Sequence, residues 1–395
     1  MERIENESQL AFAKRATELY ADKVIDAQEW ASSLLGEDYR NVYSDEYVRR
    51  ASTFFKIFLE SIKDENELIP ADADEDYLEH LEEVKDSLIK ERTKLQDANR
   101  QKRGALREEA RFENLCDILR ESIKNLKPLE CESGWMLPDD AETKYAILCL
   151  SDWHCGMTID SQFNFYNVDV MKERANVVVE KAISYCCQHE VTDLVVEVNG
   201  DLLDGSIHIS SRVQQEQDVI QQIMTVSETL SECIDKLAPW FKTVKVYATL
   251  GNHGRLCSKK TDCVTKENFE MLIPEFMRLR LKGHDNVTIV DSKGLDFLKY
   301  QVGDKIICMA HGQNDSINRV AEDFSKIYKQ VPDEVHVAHY HSYRDIADCD
   351  IMVNVNGSLC GADDYALSIR KINAPAQNLI VYDHDRCVYS LKADE

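Results

Sequence analysis

The second half of the chain contains an apolar, β-branched segment that ends in an acidic motif. Residues 194–198 (Leu-Val-Val-Glu-Val) run into Asn-Gly-Asp-Leu-Leu-Asp at 199–204, so Asp201 directly follows a predicted buried strand. A strand of this kind delivers its last side chains to the edge of a sheet, where a metal ion can reach a carboxylate. Asp201 is therefore the first candidate metal ligand, and the other candidates are sought at the ends of neighbouring strands.

Four other predicted strands also end in residues that can bind metal ions. These strand ends carry Asp152 and His154, Asn252 and His253, His311, and finally His339 and His341. One such ending means little, because a lone histidine is more often a hydrogen-bonded structural residue than a ligand. Their recurrence along the chain indicates that they form one site.

The spacing of apolar residues predicts an α/β fold for this half of the chain. Strands are predicted at 145–150, 194–198 and 244–250, and helices at 168–189, 213–241 and 265–281. After residue 286 the pattern predicts strands at 287–290, 295–302, 305–310, 335–338 and 351–355, with a closing pair near residues 383–386. This order indicates a mixed, two-sheet β core flanked by helices.

The five strand ends, in this order, resemble the motif blocks of the calcineurin-like metallophosphoesterases. The family pattern is Asp-x-His, Gly-Asp-x-x-Asp, Gly-Asn-His-(Asp/Glu), a strand-end His, and Gly-His-x-His. The resemblance covers residues 145–395 and implies the metallophosphoesterase fold. It also implies a hydrolase that acts on phosphate esters with the help of metal ions.

The resemblance further implies two divalent metal ions that share Asp201 as a bridging ligand. Asp152, His154, Asp201 and His341 are expected around one ion, and Asp201, Asn252, His311 and His339 around the other. Two cations about 3.5 to 4 Å apart neutralise a phosphate ester and activate a bridging hydroxide for in-line attack. The mixed oxygen and nitrogen ligands suit manganese, iron or zinc better than calcium. Manganese is the predicted metal, with iron, zinc and magnesium as alternatives. Asp152 and His154, two apart on an extended segment, are expected to point the same way.

His253 is not assigned to a metal and is the candidate general acid for the leaving oxygen. The chain departs from the family pattern beside it, because Gly254 replaces the usual acid, so Asp204 is considered as the partner that orients His253. Ala338 replaces the glycine before His339, a change that is expected to do little damage. Arg255 is a candidate phosphate contact, although an ordinary surface arginine fits the sequence as well.

Several classes of substrate fit this set of residues. Ser/Thr protein phosphatases carry an arginine and a glutamate where this chain has Gly205 and Gly254, which argues against that activity. The Gly-Asp-Leu-Leu-Asp block resembles SbcD-type DNA repair nucleases, although here the accessory region precedes the catalytic domain. The prediction is a DNA nuclease. A phosphodiesterase of cyclic or small nucleotides and a non-catalytic, DNA-bound scaffold are the alternatives.

The N-terminal region is predicted to be all-α. Helices are expected at 8–21, 26–35 and 44–62, and residues 1–62 resemble a helix-turn-helix domain, although a helical protein-interaction domain fits equally well. Residues 63–143 are predicted to form an acidic linker and a long helical or coiled-coil arm, either a hairpin or a single arm. Between residues 90 and 127 there are 11 Lys or Arg against 7 Asp or Glu. The predicted domains are thus 1–62, 63–143 and 144–395, with a dimer as the expected oligomer.

The overall composition limits the class of protein. A formal net charge of −25 argues against a globally basic nucleic-acid binder but permits a local basic face. The 13 cysteines occur in helical and strand patterns, which favours buried thiols in a reducing, cytoplasmic compartment. The sequence shows neither a secretory start nor an apolar run of membrane-spanning length, so no contact with a membrane is expected.

Overall fold

The computed structural model describes residues 9–35, 47–48, 50–54, 56, 75–124, 126–130, 138, 140–207, 214–257, 263 and 267–394. The chain divides into two units, Met1–Gly104 and Ala105–Glu395. None of the helices in the described part of the chain is both long and apolar enough to cross a membrane.

The first unit contains the predicted N-terminal helices, α1 (Gln9–Ala21) and α2 (Ala27–Leu35). Helix α2 begins after Asp26, whose Oδ1 accepts the N–H groups of Gln28 and Glu29, both at 2.8 Å. The Trp30 side chain is buried, and its Nε1 donates to Thr17 Oγ1 at 3.0 Å. Both helices are confirmed. The third is helical at 47–48, 50–54 and 56, and its remaining residues lie outside the described ones.

The predicted arm contains one continuous helix of 50 residues, α3 (Glu75–Lys124), which runs through Gly104 without a break. The hairpin alternative is therefore wrong over these residues. In the second unit, the last turns of α3 bury Leu119 and Ile123 in the main hydrophobic core. Nearby, the Arg120 guanidinium lies 2.9 Å from Glu275 Oε2. Residues at the end of the predicted arm thus pack against the core of the second unit.

The first sheet of the second unit has six strands in the order β13-β12-β1-β4-β5-β6, numbered along the chain. Four are parallel, namely β1 (Tyr145–Leu150), β4 (Asp193–Asn199), β5 (Thr243–Thr249) and β6 (Val287–Asp291). The antiparallel strands β12 (Ala376–Tyr382) and β13 (Arg386–Lys392) complete it beside β1. A small hairpin, β2 (Ile159–Asp160) and β3 (Phe165–Tyr166), lies outside this sheet.

The second sheet has five strands in the order β10-β11-β9-β8-β7. Its centre is parallel and consists of β8 (Lys305–Ala310), β9 (Glu334–Val337) and β11 (Ile351–Val355). The edge strands β7 (Phe297–Val302) and β10 (Arg344–Asp348) are antiparallel to their neighbours. The parallel strands that precede the candidate ligands therefore come from both sheets.

The two sheets pack face to face, with helices on their outer faces. Successive side chains of a strand point to opposite faces of its sheet, and strand β1 shows this alternation. Leu148 belongs to the core under the helices, whereas its neighbour Ile147 belongs to the core between the sheets. The outer helices are α4 (Val168–Gln188), α5 (Val219–Leu237) and α6 (Leu272–Arg280) on the first sheet, and α7 (Val320–Tyr328) on the second. A last short helix, α8, spans Asp364–Ser368. The predicted two-sheet, mixed α/β core with an all-α N-terminal region is confirmed.

A buried polar network joins the two sheets. Glu197 of β4 accepts a hydrogen bond from Tyr300 Oη at 2.6 Å and lies 2.9 Å from His336 Nδ1. Glu334, at the start of β9, lies 3.4 Å from His336 Nε2 and accepts from Arg386 Nε at 2.7 Å. The side chains of Glu197, Glu334 and His336 are at most 2% exposed. These charges are costly to bury unless they remain paired, so the network holds the sheets at one spacing.

The pairing of Glu334 predicts a loss of stability in acid. Although burial opposes the shift, His336 and Arg386 lower the pKa of Glu334 from 4.5 to about 2. A lowered folded-state pKa contributes stability above pH 4.5, and this stability is lost as the pH falls from about 4.5 to about 2. We expect Glu334→Gln to flatten the decline in unfolding free energy across this window, measured by urea denaturation. Parallel declines in the variant and the wild type would contradict this assignment.

Candidate metal centre

Most of the candidate ligands lie in sharp turns where a strand leaves its sheet. Positive φ angles, in the left-handed region, occur at Asp152 (53°), His154 (46°), Asp201 (50°), His339 (65°) and His341 (49°). The prediction that residues 152–154 are extended is therefore wrong. This backbone costs about 1 to 2 kcal/mol per non-glycine residue and persists where the surroundings enforce it, which is common at functional sites.

Asp201 is buried at the middle of the centre. Its Oδ2 lies 2.9 Å from His311 Nε2, and its Oδ1 accepts the main-chain N–H of His253 at 2.8 Å. Asp201 belongs to two groups of side chains that could each hold a metal ion, because the ligand atoms within each group lie within 4.8 Å of one another. One group is Asp152, His154 and Asp201, and the other is Asp201, His311 and His339. Asp201 is the member that these two groups share, as a bridging carboxylate would be.

His341 lies beside the first of these groups. Its Nε2 is 3.2 Å from His154 Nε2 and 3.3 Å from Asp152 Oδ1. Two imidazole nitrogens at this distance repel each other through their lone pairs unless a proton or a cation lies between them. The structure thus brings together the four side chains expected around one ion.

Hydrogen bonds behind His311 fix the orientation of its ring. His311 Nδ1 lies 2.8 Å from the carbonyl oxygen of Asn199, so Nδ1 carries a proton and Nε2 faces Asp201. The Asn199 side chain donates to Ala310 O and accepts from Thr249 Oγ1, both at 2.7 Å. Asn199 therefore ties β4 to β5 and to β8, the strand that precedes His311.

The donor set of the centre fits divalent metal ions. His154 Nδ1 and Asn252 Oδ1 are buried atoms without a hydrogen-bond partner among the described residues. Such atoms are costly to bury unless an ion binds them. Carboxylate, amide and imidazole donors together are suited to transition-metal ions.

The charges at the centre also favour cations. Although burial opposes it, His311 and His253 hold the pKa of Asp201 well below its usual value, so Asp201 is ionised. Burial lowers the pKa of His339 to about 4 and holds that of His154 well below its usual value, so both rings are neutral. His311 differs: despite burial, Asp201 raises its pKa to about 10. A metal ion at this position would have to displace that proton.

His253 lies next to the first group, and Asp204 contacts it. The His253 ring is edge-on to His154, with centroids 4.5 Å apart. His253 Nδ1 is 2.9 Å from the main-chain oxygen of Asp204 but 3.7 Å from the carboxylate Oδ1. Asp204 therefore contacts His253 mainly through its backbone, while its carboxylate accepts a hydrogen bond from Gln215.

The remaining candidates of this region have local structural partners. Arg255 Nε donates to Cys257 O at 3.0 Å, and its contact with phosphate stays a prediction. Ala338 is buried, and its N–H donates to His311 O at 2.9 Å, so its methyl group is accommodated. His208, a candidate substrate contact because it closely follows the Gly-Asp block, lies outside the described residues.

The loop at 356–365, expected from its glycines to shape the substrate pocket, supports the turn after β1. Ser358 Oγ donates to Asp152 O at 3.0 Å. The end of this loop also borders a cavity of about 170 Å³, lined by Met157, Thr158, Ile159, Asp204, Gln214, Asp363 and Asp364. Because Asp204 belongs to both the cavity and the His253 contact, the cavity opens beside the centre.

Sequence reasoning missed Glu270. This residue is 2% exposed, and its carboxylate accepts the N–H groups of Leu202 at 2.7 Å and Gly251 at 2.6 Å. Burial, and then the charge of Asp201, raise the pKa of Glu270 to about 7. Residues 265–281 were predicted as one helix, but a 3₁₀ turn at Phe269–Met271 precedes α6. The acid missing at Gly254 indicated that a carboxylate comes from elsewhere in the chain, but it did not indicate the position.

Comparison with known proteins identifies the family. Residues 145–372 match the family model of the calcineurin-like phosphoesterases, which covers more than half of the chain. The chain belongs to this family and is a metal-dependent phosphoesterase, for which divalent metal ions are implied. It is similar to the SPbeta prophage-derived uncharacterized protein YonJ of Bacillus subtilis (strain 168), with 24% identity over 342 residues, 84% of this chain and 83% of YonJ.

Several solved structures are similar to this protein but share little of its sequence. A novel archaeal phosphodiesterase is 14% identical and covers 62% of this chain and 99% of its own, with a TM-score of 0.33. A predicted phosphoesterase of Streptococcus pneumoniae TIGR4 is 13% identical over 65% of this chain and 93% of its own, with a TM-score of 0.31. Zinc-bound Vps29 of Entamoeba histolytica is 12% identical over 63% of this chain and 99% of its own, with a TM-score of 0.28.

The turns after β4 and β5 lie so close together that even a methyl group added at Gly251 is expected to disturb the metal centre. A Cβ atom at Gly251 would lie 2.0 Å from Asp201 N and 2.2 Å from Asp201 Oδ1, closer than side chains allow. We expect Gly251→Ala to push the turns apart and to weaken Mn²⁺ binding by at least about tenfold, measured by calorimetry. Gly283→Ala is the matched control, because its Cβ would meet only Leu129 O at 3.6 Å. Equal Mn²⁺ affinities of the two variants would refute the close-contact argument.

Proposed function

We propose that this metallophosphoesterase is a phosphodiesterase that cleaves DNA with two divalent cations. The single observation that carries the two-ion site is that Asp201 belongs to both groups of ligand atoms. In this assignment Asp152, His154, Asp201 and His341 hold one ion, and Asp201, Asn252, His311 and His339 hold the other. Manganese is the proposed metal, because it accepts mixed carboxylate, amide and imidazole ligands.

The side chains divide the chemical work between them. When bound, the ions supply charge neutralisation for the phosphate and lower the pKa of a nucleophilic water. Asp201 holds the main chain of His253 in place through a 2.8 Å hydrogen bond. With Nδ1 directed at the Asp204 carbonyl oxygen, His253 is the proposed acid that protonates the leaving oxygen from Nε2. Arg255 is proposed to contact the phosphate from the same turn.

Two features support DNA as the substrate. The middle of α3 exposes basic side chains, among them Lys90, Arg92, Arg100 and Arg103, which can contact a phosphate backbone. The sequence of residues 1–62 resembles a helix-turn-helix domain, and we propose that this region recruits the enzyme to DNA. We further propose that the exposed part of α3, with Leu88 and Leu95 on its surface, contributes to a dimer of a cytoplasmic protein.

The cavity beside the centre favours a second candidate, a phosphodiesterase of small nucleotides. A volume of about 170 Å³ suits a compact group rather than a long polymer. Asp204, Asp363 and Asp364 line it, so hydrogen-bond donors of a sugar or base fit better than a further phosphate. Because the family's ligand positions are filled, an enzyme is favoured over a non-catalytic scaffold.

A substrate panel separates the candidates. We expect the purified protein with Mn²⁺ to cleave single- or double-stranded DNA and to lose this activity after chelation with EDTA. The panel would include cyclic nucleotides and a chromogenic phosphodiester, with Asp201→Asn as the control for contaminating nucleases. Hydrolysis of the small substrates with intact DNA would replace the nuclease assignment by the second candidate.

Two substitutions test the proposed division of labour. Asp201→Asn removes the shared charge, and we expect it to abolish both Mn²⁺ binding and turnover. His253→Ala should retain Mn²⁺ but lower kcat by about 10² to 10⁴-fold, because a positioned proton donor contributes that much. His384→Ala, whose side chain is 88% exposed, is the control and should behave like the wild type. Full activity of His253→Ala would exclude its role as the acid.

A further inference from the structure

The Glu270 carboxylate lies between the two turns that carry Asp201 and Asn252. One oxygen accepts the N–H of Leu202, directly after Asp201, and the other accepts the N–H of Gly251, directly before Asn252. A single buried side chain thus holds the main chain beside the shared ligand and beside the amide ligand. Glu270 comes from a third segment, the 3₁₀ turn at Phe269–Met271.

The space around Gly254 explains how this arrangement is accommodated. A Cβ atom at Gly254 would lie 2.8 Å from Glu270 Cγ and 2.3 Å from Asn268 Oδ1. The family pattern has an acidic residue at this position, but here Glu270 and Asn268 occupy the volume that its side chain would need. Asn268 also donates to Gly251 O at 2.8 Å, and its Oδ1 accepts the Glu270 N–H at 2.9 Å. Gly254 and Glu270 therefore form a compensating pair.

We propose that Glu270 is a positioning residue of the metal centre. It supplies from a separate segment the carboxylate that the family carries after Gly-Asn-His, and Gly254 leaves room for it. Glu270 acts through the main chain of Leu202 and Gly251, and its carboxylate fixes the separation of Asp201 and Asn252. The inference rests on the proposed metal ligands but not on DNA as the substrate.

The chemistry of the contact requires a carboxylate at position 270. Both donors are N–H groups, so both oxygens of the bridging group must accept. Glutamine has the same shape but only one acceptor, and its amino group would face an N–H without a partner. Loss of one hydrogen bond to a buried amide beside a ligand is expected to loosen the turn rather than unfold the domain.

Glu270→Gln, compared with Glu334→Gln, is the experiment that tests this role. Both residues are 2% exposed, but Glu334 belongs to the network between the sheets. Calorimetry with Mn²⁺ alone and hydrogen–deuterium exchange of metal-free protein, in peptides containing Leu202 and Gly251, need no substrate. We expect Glu270→Gln to bind Mn²⁺ about 10 to 100-fold more weakly and to exchange faster in both peptides. Glu334→Gln should lose thermal stability but keep its Mn²⁺ affinity.

Wild-type Mn²⁺ affinity and wild-type exchange in folded Glu270→Gln would overturn the proposal, whatever the outcome of the DNA assay. If this variant does not fold, Gly254→Ala provides the second test, because its methyl group would displace Glu270 and Asn268. We expect weaker Mn²⁺ binding and faster exchange in the same peptides. Unchanged affinity of Gly254→Ala would then overturn the proposal.

Discussion

The metal centre depends on the contact between the turns after β4 and β5. Gly251 lies so close to the main chain of Asp201 that no side chain fits, and a Cβ atom at Gly200 would lie 2.5 Å from Gly251 N. The parallel register of β4 and β5 brings these turns level, with Asn199 opposite Thr249. Because Glu270 then binds both turns, the positions of Asp201 and Asn252 follow from the backbone before any ion is considered.

The second constraint is the distance between the sheets. Asp152, Asp201 and Asn252 follow strands of the first sheet, whereas His311, His339 and His341 follow strands of the second. The network of Glu197, His336 and Glu334 crosses the space between the sheets, and Asn199 reaches across to Ala310 O. A shift of one sheet against the other would separate the carboxylates from the imidazoles. Because several contacts share this task, no single one of them sets the geometry of the site, and the polar network within the core contributes mainly to stability.

The sequence predicted the features that depend on local patterns. Alternating and β-branched runs located the strands, and the motif at each strand end identified side chains that the fold brings together.

Features that depend on distant segments were not predictable. Glu270 carries no motif, and its position near Asp201 depends on packing of the chain between β5 and β6. The left-handed turns at Asp152 and His154 were missed because tertiary contacts, such as that of Ser358 with Asp152, enforce them. Gly104 lowers helix propensity, yet α3 continues through it.

The position of β12 has a consequence for the order in which the protein is made. This strand pairs with β1 in the middle of the first sheet, and Gln377 at its start accepts the N–H of Ser151 at 2.8 Å, next to Asp152. During synthesis, the ribosome releases β1 more than two hundred residues before its neighbour emerges. The edge of β1 therefore stays unpaired for much of translation, when it can pair with strands of other chains. Metal capture by a nascent chain is accordingly expected only after residues 376–382 have left the ribosome.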